Sequence, residues 1–255
     1  MNFFRTIGAA FAVFSRVPMP KIRWDEGSMR YMLCAFPLVG AVIGGLIIAW
    51  YYIAGALGFG AILYGAGLTL IPVAVTGGFH LDDFCDTSDA LASHAPAEKK
   101  REILKDSHAG AFAVISLCCY FVLYFACAAS APRSLGAAIL LGLAHMLSRE
   151  ASGLAALVFP GSGKGLLGTF RESAEKKRAA AVLLFEAVIT AAVMIVFFRL
   201  YGVLAAACCL VCFFWLKIMA EKQFGGMSGD LSGWFLQVSE LIMLLAVTVL
   251  YHVPA

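Results

Sequence analysis

Four aspartates lie within eight residues of the segment Thr76-Gly-Gly-Phe-His-Leu-Asp-Asp-Phe-Cys-Asp-Thr-Ser-Asp-Ala-Leu91. If this segment is helical, Asp82, Asp86 and Asp89 follow the spacing i, i+4, i+7 and share one face. Like charges on one face repel each other, and a bound cation offsets that repulsion. Because Mg2+ prefers carboxylate oxygen, the spacing predicts a magnesium site. The alternative is a solvated acidic loop between two membrane helices.

Two further polar segments carry groups that bind ions or phosphate. The segment Lys105-Asp-Ser-His-Ala-Gly110 brings together Asp106, Ser107 and His108. The segment 223–233 is rich in glycine. Its candidate ligand-binding residues are Gly225, Gly226, Gly229 and Asp230. Backbone N–H groups at the start of a helix bind anions, and a carboxylate there can join a metal site.

The composition predicts that membrane-spanning helices position these segments. The chain has 255 residues and is 62% hydrophobic, whereas a soluble domain is nearer 45–50% apolar. Apolar runs of about 20 residues, the length that crosses a bilayer, recur along it. We therefore expect an all-α fold, a polytopic membrane helical bundle that forms a single domain over residues 1–255. A net charge of +3, without a basic stripe, argues against nucleic-acid binding.

The apolar runs predict about seven spans and an N-terminal amphipathic helix over residues 1–20, which lies on the membrane surface. The predicted spans are 31–57, 59–75, 111–130, 134–159, 179–198, 200–220 and 233–251. Gly40 and Gly44 in the first span have the spacing that lets helices approach closely. Six of the eight cysteines lie in apolar runs and are read as packing residues rather than a disulfide framework.

Lys and Arg are concentrated before the first span and between spans two and three, four and five, and six and seven. The opposite side keeps only Arg133 and Arg199. The positive-inside rule then places the N-terminus in the cytoplasm and the C-terminus outside. All the polar segments fall on the cytoplasmic face in this topology, so they can converge on one site.

Ionisable residues inside spans are costly and usually face a polar interior. The fourth span carries Arg149 and Glu150, the fifth Glu186 and the last Glu240. Arg149 either pairs with an acid or holds a substrate phosphate bidentately. The glycine-rich loop 160–169 lacks the P-loop pattern, but its Lys164 has the charge to close over a phosphorylated ligand.

Four motifs, in order, resemble the cobalamin synthase (adenosylcobinamide-GDP ribazoletransferase) family. That family typically has Gly-Gly-x-His-x-Asp-Gly-Leu-Ala-Asp-Thr-x-Asp-Gly, which residues 77–90 resemble. Residues 105–110 resemble its Arg-Asp-Ser-Arg-x-Gly, and residues 225–230, followed by Glu240-Leu, its Gly-Gly-x-x-Gly-Asp and Glu-Leu. Residues 15–20, Ser-Arg-Val-Pro-Met-Pro, resemble its N-terminal Ser-Arg-x-Pro-x-Pro. The chain departs from the pattern at Asp83, Ala90 (both usually Gly), Cys85 (usually Ala) and His108 (usually Arg).

The resemblance implies a reaction in the last steps of cobalamin biosynthesis. The hydroxyl of alpha-ribazole, or of its 5'-phosphate, attacks adenosylcobinamide-GDP, and GMP leaves. Mg2+ would neutralise the pyrophosphate, held by residues from the set Asp82, Asp86, Asp89, Asp106 and Asp230. Either His80 or Asp89 would act as the general base. The expected substrate-binding residues are Arg16, Ser107, His108, Arg149, Lys164, Gly225, Gly226, Gly229 and Glu240.

The resemblance further implies the cytoplasmic membrane of a prokaryote, with the active site facing the cytoplasm. Beyond the two substrates, the expected partners are membrane lipid and either a second copy of the chain or other enzymes of cobalamin synthesis. Two alternatives remain at this point. A CDP-alcohol phosphotransferase also uses an Asp cluster and Mg2+, but its spacing is not met after Asp86. A cation transporter with an acidic gate would use Glu150, Glu186 and Glu240.

Overall fold

The computed structural model describes residues 3–20, 26–106, 108–162, 168 and 175–253. Within this part of the chain the fold is helical, and the one β-bridge joins Gly161 to Met227. The helices are α1 (Phe3–Phe14), α2 (Glu26–Met29), α3 (Pro37–Ala56), α4 (Ala61–Thr76), α5 (Phe79–Ala92), α6 (Ala97–Ile103), α7 (Ala111–Ser130), α8 (Leu135–Val158), α9 (Lys176–Met219) and α10 (Gly229–His252). A 3-10 turn (Met32–Ala35) precedes α3, and a π-helical turn (Ala220–Phe224) follows α9.

Four helical segments in the described ranges are long and apolar enough to cross a membrane: Met32–Ala56, Ala111–Ser130, Lys176–Phe224 and Gly229–His252. A fifth is added if α4 and α5, bent by 95°, form one broken span. Because α5 carries four carboxylates, we place it with the polar segments at the membrane border and not among the spans. The all-helical membrane fold is thus confirmed, while the count of seven spans stays a prediction.

Helix α9 is interrupted at Arg199, whose backbone has φ 49° and ψ −121°. A Cβ placed on Gly202 would lie 1.9 Å from the carbonyl oxygen of Met194. Residues eight apart in a continuous helix are separated by about 12 Å. The two arms of α9 therefore fold back on each other at Arg199, between the fifth and sixth predicted spans.

Both ends of α9 lie at the end of the bundle that carries the polar segments, which we call the polar end. Tyr31, just before α3, donates a hydrogen bond to Glu175 at the start of α9 (2.6 Å). Phe224, just after α9, accepts one from Arg101 of α6 (2.8 Å). The fold-back of α9 lies at the opposite end, where Gly136 near the start of α8 faces Phe198.

Close backbone contact joins α3 to α8 at the centre of the bundle. A Cβ on Gly40 would lie 2.5 Å from the carbonyl oxygen of His145, and one on Gly44 would lie 2.9 Å from the Cα of Gly142. Neither position has room for a side chain. The spacing of Gly40 and Gly44 therefore serves helix packing, as the sequence predicted.

The predicted N-terminal helix is observed as α1, and it packs one side on the bundle. Phe11 and Phe14 are buried, whereas Phe4 is 82% exposed. The Phe14 ring lies 4.2 Å from that of Phe36, next to α3. The position of α1 on a membrane surface stays a prediction.

Candidate active site

A turn of two glycines directs the acidic helix across the polar end. Gly77 and Gly78 have φ values of 70° and 83°, which glycine adopts without strain. They end α4 and start α5 at the 95° bend. The N-terminal segment fixes this turn, since the backbone N–H of Arg16 donates to the carbonyl of Val75 (2.7 Å). A Cβ on Gly77 would lie 2.7 Å from the Arg16 side chain, whose exposed position leaves it open to a ligand.

The predicted acidic face of α5 is present. Asp82 is exposed, and Asp86 and Asp89 are half-buried. Burial, followed by the negative charges of Asp82 and Asp230, raises the pKa of Asp86 to about 6. Asp89 and Asp106 act on it in the same direction. The carboxylates of α5 and the start of α10 therefore share one electrostatic environment.

Asp83, at a position where glycine is usual in the family that the motifs resemble, is buried against α10. A Cβ on Gly233 would lie 1.9 Å from its Oδ2, so the absence of a side chain at Gly233 makes room for it. Burial and the charges of Asp230 and Asp82 raise the pKa of Asp83 well above its usual value. Its Oδ2 lies 3.4 Å from Nδ1 of His80.

His80 is 3% exposed and lies between the rings of Phe36 and Phe79. Its Nε2 is buried without a hydrogen-bond partner among the described residues, beside a cavity of about 60 Å³. Burial and the positive charge of Arg149 lower the pKa of His80 to about 3. A ring with that pKa is a weak general base at neutral pH, so this arrangement does not support the predicted role.

Asp89 is engaged in positioning α7. Its Oδ1 accepts a hydrogen bond from the backbone N–H of Ala113 (3.0 Å), in the first turn of that helix. A Cβ on Gly110 would lie 1.9 Å from its Oδ2. A carboxylate at this place satisfies a free backbone donor and interacts favourably with the helix dipole. The contacts support a structural role for Asp89 and leave its predicted roles as metal ligand and base without support.

The second polar segment lies nearby and is exposed. His108 donates its backbone N–H to Oδ1 of Asp106 (3.0 Å), and its Nδ1 lies 2.8 Å from the same oxygen. These contacts lower the pKa of Asp106. Asp106 adds a small contribution to the negative charge around Asp86. Ser107 lies outside the described residues.

The glycine segment before α10 is held against the loop that follows α8. The backbone of Met227 donates to Pro160 (2.7 Å), and that of Ser162 donates to Met227 (3.0 Å). Gly226 has φ 142° and no room for a Cβ, which would lie 2.7 Å from Gly161. Gly229, in contrast, faces open space at the start of α10. Lys164, in the same loop, lies outside the described residues.

The structure thus brings the three polar segments to one place. Among the described residues, however, no three His, Cys, Asp or Glu side chains form a ready-made metal site. The donors nevertheless suit Mg2+, because they are carboxylate oxygens. Burial, and after it the charges of the neighbouring carboxylates, raise the pKa of Asp86. Asp82, Asp86 and Asp230 are the described residues that fit a metal best, and Mg2+ stays a prediction.

Arg149 takes the first of its two alternatives and pairs with an acid. The acid is Glu240 of α10, whose Oε1 lies 2.7 Å from Nη1 of Arg149. Ser148 donates to the same oxygen (2.8 Å), and Nδ1 of His145 lies 3.0 Å from the other. Arg149 is 0% exposed and Glu240 is 2% exposed. Both are therefore out of reach of a phosphate, and their predicted substrate-binding roles have no support.

The other intramembrane acids lie between α8 and α9. Glu150 is 1% exposed, and its Oε1 accepts a hydrogen bond from Thr190 (2.8 Å). The second oxygens of Glu150 and Glu186 are buried without a partner among the described residues. Neither acid lies in the acidic site on α5.

Two contacts at the polar end were not predicted. Lys100 and Arg101 of α6 contact Gln223 and Phe224, just before the glycine segment. The charges of residues 98–102, Glu-Lys-Lys-Arg-Glu, gave no sign that one of the two lysines is buried. Gly110 lies against Asp89, and Gly233 lies against Asp83. These glycines could have indicated the two contacts, because a backbone that another group approaches closely often requires glycine.

The fold and the site together define a helical membrane protein with three polar segments at one end of the bundle, one of which is the acidic helix α5. The cobalamin-5-phosphate synthase family profile matches residues 6–248. The chain belongs to this family, and the resemblance seen in the motifs is confirmed. The family differs from both alternatives, the CDP-alcohol phosphotransferase and the cation transporter.

Individual relatives agree with the family. The adenosylcobinamide-GDP ribazoletransferase of Lachnoclostridium phytofermentans is 39% identical over 250 residues, which cover 98% of this chain and 95% of the relative. That of Geobacillus sp. (strain WCH70) is 31% identical over 227 residues, with 87% and 86% covered. That of Clostridium botulinum (strain Eklund 17B) is 36% identical over 124 residues, 49% of each chain. No solved structure gave a significant match.

Proposed function

We propose that this chain is an adenosylcobinamide-GDP ribazoletransferase. The observation that carries the proposal is the meeting of the three polar segments at one end of the bundle, in a member of the cobalamin-5-phosphate synthase family. A relative with that activity in its name is similar over 98% of the chain.

In the proposed reaction the hydroxyl of alpha-ribazole, or of its 5'-phosphate, attacks the cobinamide-side phosphorus of adenosylcobinamide-GDP. A new P–O bond forms, the bond to GMP breaks, and GMP leaves with its electron pair. The proton of the attacking hydroxyl is released to the solvent, which reaches the acidic helix at the exposed Asp82. The product is the phosphodiester that closes the nucleotide loop of the vitamin.

Asp82, Asp86 and Asp230 would hold Mg2+, which supplies charge neutralisation for the pyrophosphate when bound. Arg16 is exposed beside the glycine turn and can contact a substrate there. Asp83 and Asp89 support the site by fixing α5 against α10 and α7. Gly229 leaves the start of α10 open, so its backbone N–H groups can face a phosphate oxygen.

The proposal includes a location and an orientation. The chain resides in the cytoplasmic membrane of a prokaryote, with its N-terminus and its polar end in the cytoplasm. The distribution of Lys and Arg supports this orientation. Lipid surrounds the bundle, and either a second copy or other enzymes of the pathway are its proposed protein partners. Cysteine substitution at positions on the two ends, followed by labelling with an impermeant maleimide, tests the orientation.

The activity test measures GMP release from adenosylcobinamide-GDP by membranes that contain the full chain, with alpha-ribazole phosphate and Mg2+. Asp82→Asn removes one charge without changing the size of the side chain. Glu98→Gln makes the same change at an exposed position of α6 and serves as the control. Metal stabilisation is worth several kcal/mol, so we expect Asp82→Asn to lower the rate about 100-fold or more.

EDTA should abolish turnover of the wild-type chain, and Mg2+ should restore it. A folded wild-type chain that makes no product with any divalent metal would refute the proposed function. Equal rates for Asp82→Asn and Glu98→Gln would leave the transferase intact but remove Asp82 from the metal site.

A further inference from the structure

One charge at the polar end has no counter-charge among the residues that the structure describes. Lys100 of α6 is 4% exposed, and its Nζ donates a hydrogen bond to Oε1 of Gln223 (2.5 Å). Within the described ranges no carboxylate lies within 4.0 Å of this ammonium. Burying an ammonium is costly unless a negative group compensates it. The neutral amide of Gln223 does not supply that charge.

Arg101, the next residue, has the same kind of environment. Its Nη1 donates to the carbonyl oxygen of Phe224 (2.8 Å). A Cβ on Gly225 would lie 2.7 Å from that nitrogen, so the guanidinium lies directly over a glycine of the third polar segment. No acid in the part of the chain that the structure describes forms an ion pair with Arg101.

A shortage of acids on α6 does not explain this arrangement. Lys99, on the other face of the same helix, lies 2.8 Å from Glu102 and forms an exposed ion pair with it. Glu98 is also exposed. The acids of α6 thus face the solvent, whereas Lys100 and Arg101 face the glycine segment. The acceptors that these two positive charges contact, the Gln223 amide and the Phe224 carbonyl, are both neutral.

Helix α6 contacts both the acidic helix α5 and the π-helical turn. The acids of α5 that would hold the metal and the basic residues Lys100 and Arg101 of α6 thus belong to two helices that are in contact at the polar end. A pyrophosphate diester fits between them, because it carries two negative charges and also presents oxygens to a metal. Arg binds such oxygens through its planar fork and Lys as a point charge.

We propose that Lys100 and Arg101 bind the pyrophosphate of the guanosine diphosphate group of the donor substrate. This inference rests on the proposed function and deepens it by assigning the donor's pyrophosphate to α6. Arg149 is neutralised by Glu240, whereas Lys100 contacts only a neutral amide among the described residues, so Lys100 keeps the free charge that this role requires. The ammonium of Lys100 exchanges its neutral partner for a phosphate oxygen when the donor binds.

The test measures the binding of GDP to the purified full-length chain in lipid nanodiscs by calorimetry, in EDTA so that metal does not contribute. Lys100→Gln removes the buried charge. Lys99→Gln removes the neighbouring exposed charge and is the matched control. We expect Lys100→Gln to raise the Kd for GDP about tenfold or more, which corresponds to about 1.4 kcal/mol. Lys99→Gln should change it less than about twofold, and Lys100→Arg should keep most of the affinity.

Kinetics separate binding from general damage to the fold. In the GMP-release assay, Lys100→Gln should raise the KM for adenosylcobinamide-GDP by a similar factor and leave the KM for alpha-ribazole phosphate unchanged. Should Lys100→Gln fail to fold, Lys100→Met removes the same charge and keeps the packing of the stem. A buried apolar side chain is expected to be tolerated at this position.

Equal GDP affinity of the wild type, Lys100→Gln and Lys100→Met would overturn the inference, and so would an equal loss in Lys99→Gln. If the wild type releases GMP while Lys100→Gln matches it in both binding and KM, the inference fails and the proposed function stands. If GDP binding depends on Lys100 but the donor is never turned over, the proposed function fails. Lys100 then belongs to a nucleoside diphosphate site.

Discussion

Removing either member of the Arg149–Glu240 pair should unbalance the polar network inside the bundle. The Glu240 carboxylate accepts hydrogen bonds from Arg149 (2.7 Å) and Ser148 (2.8 Å), and Nδ1 of His145 lies 3.0 Å away. Arg149 Nε already lacks a partner among the described residues. Glu240→Leu would therefore leave a fully buried guanidinium with only the His145 carbonyl and the Ser148 hydroxyl as acceptors.

The expected magnitude follows from burial. Breaking a buried pair by removing one partner costs about 3–5 kcal/mol, because the remaining charge is uncompensated. Replacing both partners with apolar residues of similar volume is often neutral or stabilising. Glu240→Leu and Arg149→Met should each lower the free energy of unfolding by that amount. The double variant should recover most of the loss, which gives a coupling energy of about 3 kcal/mol or more.

The assay is reversible unfolding in mixed micelles, followed by circular dichroism, for all four proteins of the double-mutant cycle. Glu221→Gln changes an exposed acid of the π-helical turn and should alter stability by less than about 0.5 kcal/mol. If the effects of the two single changes add within about 0.5 kcal/mol, the residues are not coupled. That result would refute the assignment of Arg149 to Glu240.

Three further changes test the packing of the site and of the bundle. Gly233→Ala should destabilise the chain by about 1–3 kcal/mol, because the new methyl group displaces Asp83. Adding Asp83→Ala should restore the thermal stability, and a double variant as unstable as Gly233→Ala would contradict the contact. Asp89→Ala should lower the free energy of chemical unfolding by about 1 kcal/mol, because α7 loses its cap, whereas Asp89→Asn should retain the cap. An equal loss in both variants would mean that the charge of Asp89 matters and not the capping hydrogen bond. Gly44→Ala should destabilise the fold by about 1–3 kcal/mol, because the added methyl group separates α3 from α8. Gly45→Ala is the control, since its added methyl group meets nothing within 4 Å. Equal losses of thermal stability in the two variants would disprove the close approach of the helices.

Local patterns were sufficient to predict the acidic helix and the meeting of the polar segments. Asp82 and Asp86 share a face because helical periodicity alone decides it. Because consecutive spans alternate in direction, every second connection lies at the same end of the bundle. The distribution of Lys and Arg therefore predicted that residues 76–110 and 223–233 lie on the same face of the membrane. The break at Arg199 falls between the predicted spans 179–198 and 200–220, where the apolar run is interrupted by a charge.

Partners that are distant in sequence could not be predicted in the same way. Arg149 pairs with Glu240, which lies 91 residues later, and not with its neighbour Glu150. Consecutive residues point to different faces of a helix, so a neighbouring acid is a poor partner. The burial of Lys100 depends on Gln223, which lies 123 residues further along. Single-sequence patterns contain no information on such contacts.

The fold-back of α9 has a consequence for how the protein enters the membrane. If the polar end faces the cytoplasm, as proposed, both ends of this 44-residue helix stay on that side, and its two arms are inserted as one hairpin whose tip crosses the bilayer. Arg199 sits at that tip, so its charge has to be translocated with the hairpin. Moving one arginine across the bilayer costs free energy. The favourable transfer of two apolar arms into the bilayer offsets this cost better than the transfer of one arm would. Synthesis of the first arm should therefore leave it unstably inserted until the second emerges from the ribosome.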